Sequence, residues 1–390
     1  MNNKRILSID ILRGLVMVLM ALDHVRDYFH IGAMTEDPMD IESSSLPLYF
    51  TRWITHYCAP IFVFLSGISA FLSSQKRTPK ENSVFLIKRG LFLILMELTI
   101  ICFGWTFNPF FNTLVLQVIW AIGVSMIALA LFIHLPIKFI FILALIIIFG
   151  HNVLDAFEVG KQKMGFVWDA FHHGGFNYYP LTANRGVMVI YPVLPWIGIL
   201  LLGFSIGPMY LSSYDTFKRK RNLTLMGSFA IILFTVLRLF DVYGDTGHWQ
   251  LQSSFDKTLK DFLDVRKYPP SLLYTCMTLG PACLFLAFSE QVKNKLTSVL
   301  TVYGKVPFLY YVLHIYLIHI LCVIYFYASG HQNSEIVPQG SFFNFRPSDM
   351  GFSLPITWLI WLSVVLLLYY PCKRYDQFRV GRKHWIYKYI

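Results

Sequence analysis

Long apolar runs recur along this chain, and they restrict its fold more than any other feature. A helix needs about 20 mostly apolar residues to cross a hydrocarbon layer roughly 30 Å thick. Ten runs are candidate spans, the fifth of them short: residues 6–29, 53–74, 84–104, 112–133, 137–151, 187–208, 222–240, 271–289, 306–328 and 352–370. The sequence therefore predicts an all-α polytopic membrane protein with about ten transmembrane helices.

The composition supports this class. The chain is 56% hydrophobic and only 14% charged, and its mean hydropathy is +0.54, values outside the range of an ordinary soluble domain. The six cysteines are scattered through apolar runs without metal-binding spacing, so we expect buried free thiols and no metal site. We expect residues 1–370 to form one transmembrane domain and residues 371–390 a basic, aromatic cytoplasmic tail.

The net charge of +11 is explained by topology. If the N-terminus is cytoplasmic and ten spans alternate, most Lys and Arg residues fall in cytoplasmic segments, whereas the first outer loop (31–51) contains none. This is the positive-inside bias of membrane proteins, with both termini cytoplasmic. The basic runs then face anionic lipid headgroups, and nucleic-acid binding is not expected.

The first apolar run contains two residues that lipid would normally reject, Arg13 and His24. Eleven residues at 100° each make three turns plus about 20°, so both side chains point the same way, roughly 16 Å apart along the axis. Asp10 and Asp27 lie near the same stripe. A charge at membrane depth costs at least about 2.5–3.5 kcal/mol. The stripe should therefore face a polar cavity enclosed by the helices.

A cation toward one membrane face and an imidazole toward the other suit acyl transfer across the bilayer. The cation would hold the donor, and the imidazole would take a proton from the attacking nucleophile. Acyl transfer from a cytoplasmic thioester to an external hydroxyl or amine fits this arrangement. A transporter or flippase for a small envelope solute is the alternative, because intramembrane charges also mark solute paths.

Other histidines are weaker candidates. His56 lies near the outer end of the second run, at a depth similar to that of His24, so the two could meet. His314 and His319 lie about 140° apart on the ninth run, between its cytoplasmic side and its middle, where a lone His more often bonds to a neighbouring helix. The outer segment 152–186 is polar, aromatic and His-bearing. Either it forms a surface for a hydroxylated ligand such as a sugar, or it is a structured plug.

Several segments resemble a known group of membrane enzymes. Ser8-Ile-Asp-Ile-Leu-Arg-Gly-Leu15, followed by Leu22-Asp-His24, is similar to the opening of the transmembrane acyltransferase superfamily, and closest to bacterial proteins grouped with the catalytic domain of heparan-α-glucosaminide N-acetyltransferase. Acyltransferase-3 proteins are related. The supporting segments are Thr51–Pro60, Phe64–Gly67, Tyr191–Trp196, Lys267–Ser271 and Tyr303–His314.

The resemblance implies a core of ten or eleven helices, with acetyl-CoA as the donor at the cytoplasmic side and an acceptor at the opposite side. In the acyltransferase-3 branch the Arg and His spaced like Arg13 and His24 are the essential pair. The expected roles divide into three groups: catalysis by His24, with Asp27 or Asp23 fixing its tautomer; donor binding by Arg13, Asp10 and His314; and acceptor binding by His56, Arg185, His173, Trp196 and Ser271.

The sequence departs from the lysosomal enzyme at the base. That enzyme has Asn in the place of His24, and its proposed catalytic His comes about eleven residues later, where this chain has Thr35; His30 is the nearest imidazole. Either His24 is the base, which we favour, or another His such as His56 takes over. Direct transfer and an acyl-His intermediate both stay open.

The resemblance also carries expectations about partners and location. It implies acetyl-CoA as co-substrate without a metal or prosthetic group, an amino sugar or envelope glycan as acceptor, and membrane lipids as neighbours. It leaves homo-oligomer formation open. The expected location is a bacterial cytoplasmic membrane.

Overall fold

The computed structural model describes residues 6–337 and 343–380. Most of these residues are helical. The first helix begins at one end of the helix bundle, which we call the lower end. The opposite end is the upper end. The α-helices are α1 (Leu7–Phe29), α2 (Leu46–Trp53), α3 (Cys58–Ser74), α4 (Pro79–Met96), α5 (Cys102–Thr106), α6 (Val118–Phe132), α7 (Ile137–Gly150), α8 (Phe166–Trp168), α9 (Val193–Ile206), α10 (Thr216–Phe240), α11 (Phe255–Leu263), α12 (Leu272–Ser289), α13 (Lys295–Lys305), α14 (Pro307–Ala328) and α15 (Leu354–Arg379). The strands are β1 (Thr113–Leu116), β2 (Asn177–Thr182) and β3 (Arg185–Val189).

Every predicted apolar run contains helix, although the fourth and sixth runs also include residues of β1 and β3, so the prediction of an all-α polytopic membrane protein is confirmed. Within the described ranges, seven helical segments are long and apolar enough to cross a membrane. The other three predicted spans are α1 and α4, which carry several charges, and α6, which has only 15 residues. The fourth run was placed too early, because residues 113–116 form β1 and the helix begins only at Val118.

Side-chain caps explain where several helices begin. Thr78 accepts a hydrogen bond from Glu81 N, and the Glu81 carboxylate accepts one from Thr78 N in return. Asp215, Ser271 and Asn294 cap α10, α12 and α13 in the same position. Such caps satisfy amide groups that the first helical turn leaves without partners.

Helix α1 lies at the centre and packs against α3, α13, α14 and α15. Its contact with α13 is so close that a Cβ atom on Gly304 would lie 1.8 Å from the Asp10 carbonyl oxygen, and one on Gly14 would lie 1.9 Å from the Leu300 carbonyl oxygen. Glycines allow backbones to approach in this way in membrane helices. The contact fixes the height of α13, and of α14 after it, relative to α1.

A π-helical turn, Glu97–Ile101, joins α4 to α5. The Glu97 carboxylate reaches across and accepts a hydrogen bond from Trp120 N at the start of α6, at 2.9 Å. Single π turns inside helices often occur at functional sites. Here the turn leads directly into α5, which carries Trp105.

The upper end also carries a small sheet with the strand order β1-β3-β2. β1 pairs with β3 in parallel, with Thr113 opposite Gly186, and β2 pairs with β3 in antiparallel. The segment 152–186 is therefore folded. Its buried polar contacts include those of Asp169, whose carboxylate accepts hydrogen bonds from Asn177 and Tyr179.

The structure describes only the first part of the expected cytoplasmic tail. Helix α15 continues to Arg379, so the first residues of the expected tail prolong a membrane helix. Residues 381–390 and the basic residues Lys4 and Arg5 lie outside the described ranges. All six cysteines are buried and free, as the sequence predicts.

One upper-end carboxyl makes stability depend on pH. Burial, reinforced by the carboxylates of Asp245 and Asp37, raises the pKa of Asp264 to about 6. The pKa of an Asp side chain in the unfolded chain is about 3.9. At pH values between about 3.9 and about 6, the Asp264 carboxyl is therefore protonated in the folded state but ionised in the unfolded state. The group destabilises the fold progressively as the pH rises from about 4 to above 6. Asp264→Asn should therefore raise the thermal midpoint at pH 8 by the equivalent of about 1–2 kcal/mol and leave it unchanged near pH 4.

The control for this prediction is Asp349→Asn, whose side chain is 73% exposed. It should leave the midpoint unchanged at both pH values. Equal stabilisation of the Asp264 variant at pH 4 and pH 8 would show that the effect does not come from the carboxylate charge.

Candidate functional site

Arg13 is held at the junction of α1, α3 and α13. Its guanidinium donates to Asp10 Oδ1 at 3.1 Å, to the Gly304 carbonyl oxygen at 3.0 Å and to Ser69 Oγ at 3.0 Å. Asp10 is buried, so the two expected donor residues form an ion pair inside the bundle. Arg13 faces protein, as the cost of a charge in lipid requires.

Arg13 lines a cavity of about 270 Å³ in the lower half of the bundle. Its polar lining consists of three cations and three hydroxyl groups: Arg13, Arg89, Lys305, Ser66, Ser69 and Ser73. The remaining wall is apolar or aromatic and includes Met17, Phe62 and Phe308. Toward the upper end the cavity meets Met20 and Tyr311. An elongated ligand with an anionic end and an apolar arm fits such a wall.

His24 lies one turn above Met20 on the same helix and contacts His314 of α14. His24 Nδ1 is 2.7 Å from His314 Nε2, and His314 Nδ1 is 3.0 Å from the Tyr310 carbonyl oxygen. Because a carbonyl only accepts, neutral His314 carries its proton on Nδ1 and accepts at Nε2. His24 then donates from Nδ1, and its Nε2 keeps a lone pair.

His314 was expected among the donor residues, at a lower depth than His24, but the two rings are in contact. The reason is where the two helices begin. His24 lies 17 residues after the first residue of α1, about 26 Å along it, whereas His314 lies only seven residues after the first residue of α14, about 10 Å along it.

Aromatic rings surround the histidine pair. The Trp105 ring meets the His24 ring edge to face at 4.6 Å, and the Tyr311 ring lies 6.4 Å from His24 and 5.4 Å from His314. Tyr311 therefore lines the cavity and also packs against both imidazoles. His24 is only half-buried, so a reactant can reach it.

The carboxylates next to His24 bond to arginines. Asp27 accepts from Arg26 at 2.6 Å, and Asp23 accepts from Arg26 at 3.3 Å and from Arg52 more closely. Asp23 or Asp27 was expected to bond to the His24 imidazole, but His24 Nδ1 faces His314 instead. Asp23 and Asp27 thus form an ion-pair network directly above the imidazole.

Four of the five expected acceptor residues are buried, and the fifth, Arg185, is exposed. His56 is buried with its ring 5.7 Å from the Tyr274 ring, and Trp196 is fully buried. Ser271 caps α12 and donates to Asp245, His173 lies 3.2 Å from Asp169, and Arg185 is exposed at the start of β3. Of these five, His56 lies closest in the fold to the ion-pair network, since it shares the α2–α3 region with Arg52.

Two other histidines are occupied by structural contacts. His319 Nδ1 lies 2.9 Å from the Gly104 carbonyl oxygen and its Nε2 3.0 Å from that of Asn344, and the ring stacks on Phe107 at 3.8 Å. His30 ends α1, where burial and the positive charge of Arg26 lower its pKa against the opposing effect of Glu36. Thr35 lies in a turn beyond it.

Sequence reasoning missed Trp105, Tyr311, Arg52 and Lys267. Arg52, Tyr311 and Lys267 occur within segments that carry the family resemblance, which is a signal that could have found them. Lys267 lies within electrostatic reach of Asp23 and His24. Its ammonium group stands 5.1 Å from the Tyr268 ring. Trp105 had no comparable signal.

Comparison with known proteins supports one family. Residues 5–238 match the family model described as heparan-alpha-glucosaminide N-acetyltransferase, catalytic. This range includes Arg13, His24 and Arg52 but not His314. No curated protein matches the chain.

Proposed function

The chain belongs to the heparan-alpha-glucosaminide N-acetyltransferase catalytic family, and from this premise we propose that it moves an acetyl group from acetyl-CoA at the lower end to a hydroxyl or amine at the upper end. The observation that carries the proposal is the arrangement along α1. Arg13 lines a cavity with a cationic lining, and His24, three turns above, has an imidazole nitrogen with a lone pair.

The cavity is the proposed donor site. Coenzyme A has phosphate groups at one end and a long, flexible thioester arm at the other. Arg13, Arg89 and Lys305 supply positive charge for the phosphates, while the apolar wall suits the arm. Because acetyl-CoA is a cytoplasmic metabolite, the lower end and both chain termini would face the cytoplasm, which agrees with the positive-inside distribution.

His24 is the proposed general base. Its Nε2 would accept the proton of the acceptor hydroxyl or amine as that group attacks the thioester carbonyl carbon. The C–S bond then breaks, the acetyl group stays on the acceptor, and the imidazolium returns its proton to the departing thiolate. His314 is the proposed positioning residue, since the hydrogen bond at His24 Nδ1 selects the reactive tautomer.

The thioester would pass Met20 and Tyr311 to reach His24. Both residues line the cavity, and Tyr311 also packs against the imidazoles. We place the acetyl group beside these two residues during transfer. The Tyr311 hydroxyl lies 3.5 Å from Trp105 Nε1, so a small rotation of the ring would change both the opening and its hydrogen bond.

The acceptor would approach His24 from the upper end, past Arg52, His56 and Lys267. Polar and aromatic side chains occur together there, with Tyr268 beside Tyr191 at 5.1 Å. Hydroxyl-rich ligands suit such surfaces. A sugar of the bacterial cell envelope is the acceptor class we propose, with the cytoplasmic membrane as the location.

Arg13→Ala should weaken acetyl-CoA binding by about tenfold or more, because a charge-assisted contact to the donor is lost. Arg13→Lys should recover part of the affinity, since lysine keeps the charge but not the planar fork. The measurement is a titration of acetyl-CoA by calorimetry or by thermal shift on the protein in detergent.

Lys218→Gln is the matched control for the donor site, because Lys218 is an exposed lower-end cation on α10 that does not line the cavity. It should bind acetyl-CoA normally. A wild-type titration curve for Arg13→Ala would remove Arg13 from the donor site.

The direct test of the function is transfer of labelled acetyl from acetyl-CoA to a panel of amino sugars and glycans. The protein is purified and reconstituted in nanodiscs, and products are identified by mass. Transfer to any acceptor that requires the protein and depends on His24 supports the proposal. Uptake of the same sugars into proteoliposomes without acetyl-CoA, with no acetylated product, would favour a transporter.

A further inference from the structure

Three polar side chains, those of Asp155, Glu158 and His172, converge at the upper end, outside the proposed active site. The 3₁₀ helix His151–Phe157 follows α7 and carries Asp155, with Glu158 at its C-terminal boundary. Residues three apart eclipse one another in a 3₁₀ helix, so Asp155 and Glu158 lie on one face. The π turn Asp169–His173 brings His172 to the same face. No metal was expected from the sequence, because the cysteines lack metal-binding spacing and the family resemblance implies none.

The three side chains are close enough to share one ion. One ligand atom from each of Asp155, Glu158 and His172 lies within 4.8 Å of the other two. Around a tetrahedral zinc ion such atoms are about 3.3–3.6 Å apart, so side-chain adjustments of about 1 Å would complete the geometry. All three residues are buried.

Neighbouring residues that are not among the three hold each of these side chains in place through hydrogen bonds. Asn152 Nδ2 donates to Asp155 at 2.7 Å, and Trp168 Nε1 donates to Glu158 Oε1 at 2.7 Å. His172 Nε2 lies 3.1 Å from His151 Nδ1, while its Nδ1 faces Glu158 Oε1 at 2.7 Å. Metal-binding histidines and carboxylates are typically held by outer partners of this kind.

One carboxylate oxygen in the cluster accepts no hydrogen bond from the residues that the structure describes. Glu158 is 5% exposed, yet its Oε2 atom is buried without a hydrogen bond. The nearest cation is Arg266, whose guanidinium lies 4.0 Å from this oxygen and 3.3 Å from Asp155. When His172 is neutral, two carboxylates against one guanidinium leave a buried negative charge, and such a charge is costly unless it is paired.

We propose that Asp155, Glu158 and His172 bind a divalent metal ion of the zinc type. His172 would donate from Nε2 to His151 and bind the ion through Nδ1, and the proton between His172 Nδ1 and Glu158 Oε1 would be released on binding. Mixed nitrogen and carboxylate ligands suit zinc. The ion would join the 3₁₀ helix that carries Asp155 to the π turn that carries His172, both within segment 152–186, and thus brace the upper end without entering the acetyl-transfer chemistry.

The test uses the full chain, purified, treated with a chelator and dialysed, and then reloaded with Zn²⁺ alone. About one zinc per chain should remain after removal of free metal, and the thermal midpoint should rise with Zn²⁺ concentration. Glu158→Gln and His172→Asn should weaken zinc binding by at least about 100-fold. His173→Asn is the matched control, because His173 is the buried neighbour that faces Asp169 instead. It should bind zinc as the wild type does.

Two outcomes would overturn the proposal: wild-type protein that retains no zinc above a detergent blank, or a Glu158→Gln variant that binds zinc as tightly as the wild type. If the variants do not fold, Co²⁺ added to the wild-type protein decides the question. Visible absorption bands that Zn²⁺ displaces with one-to-one stoichiometry would support the site, and their absence would reject it.

Discussion

The His24→Ala variant should lose about 10²–10⁴-fold in the rate of acetyl transfer while still binding acetyl-CoA, because a positioned general base contributes a factor of this size. Donor binding is spared because the cavity ends at Met20 and Tyr311, below the imidazole. The rate is measured with saturating acetyl-CoA and the best acceptor found in the panel. Affinity for the donor is measured separately by titration.

His248→Ala provides the control for His24, because the His248 side chain is 72% exposed and bonds to Asp241 at the upper end. This variant should transfer acetyl at the wild-type rate. If His24→Ala keeps near-normal transfer, His24 is not the base, and His56 becomes the next residue to test. If donor binding collapses together with the rate, the loss reports damage to the fold instead.

The Gly304→Ala variant should be destabilised by about 3 kcal/mol or more, because its new methyl group would lie 1.8 Å from the Asp10 carbonyl oxygen. The two helices can accept it only by separating. Separation would also shift His314 away from His24, so the protein that still folds should transfer acetyl poorly. Thermal unfolding in detergent and the yield of monodisperse protein measure the first effect.

Gly150→Ala is the matched substitution. Gly150 also lies in a membrane helix, at the end of α7, but a Cβ atom there would meet nothing within 4 Å. This variant should match the wild type in yield, thermal midpoint and rate. A Gly304→Ala protein as stable as the Gly150→Ala protein would mean that the contact between α1 and α13 is looser than the structure indicates.

The helices and the shared face of Arg13 and His24 were predictable because both depend on short-range regularities. An apolar run of the right length can satisfy its backbone in lipid only as a helix or in a closed barrel. The direction of two side chains on one helix follows from 100° per residue. Neither inference needs to know which other helix is nearby.

The partner of His24 was not predictable in the same way. A depth estimate that counts residues from the start of each run assumes that every span enters the membrane at the same level. Helix α14 breaks this assumption, because α13 precedes it inside the bundle and Pro307 starts α14 partway up. The register of α1 against α13 depends on the contact between Gly14 and Gly304. The sequence does not indicate that two glycines so far apart along the chain are in contact.

The carboxylates illustrate a second limit. Asp23 and Asp27 both lie close to His24 in sequence, and either could have contacted the imidazole. Arg26 and Arg52 are stronger partners, since a guanidinium carries a permanent charge and binds carboxylates through several donors. Sequence spacing alone does not rank such competing partners, whereas the packed structure does.

The cavity beside Arg13 bears on how ions could cross the membrane. A passage that joined this cavity to the opposite face would let protons and ions flow down their electrochemical gradient. Met20 and Tyr311 line the cavity on the side of His24, and Tyr311 also packs against the imidazole. Under the proposed function, the two side chains beside which the acetyl group would pass would thus also help the membrane to keep its voltage.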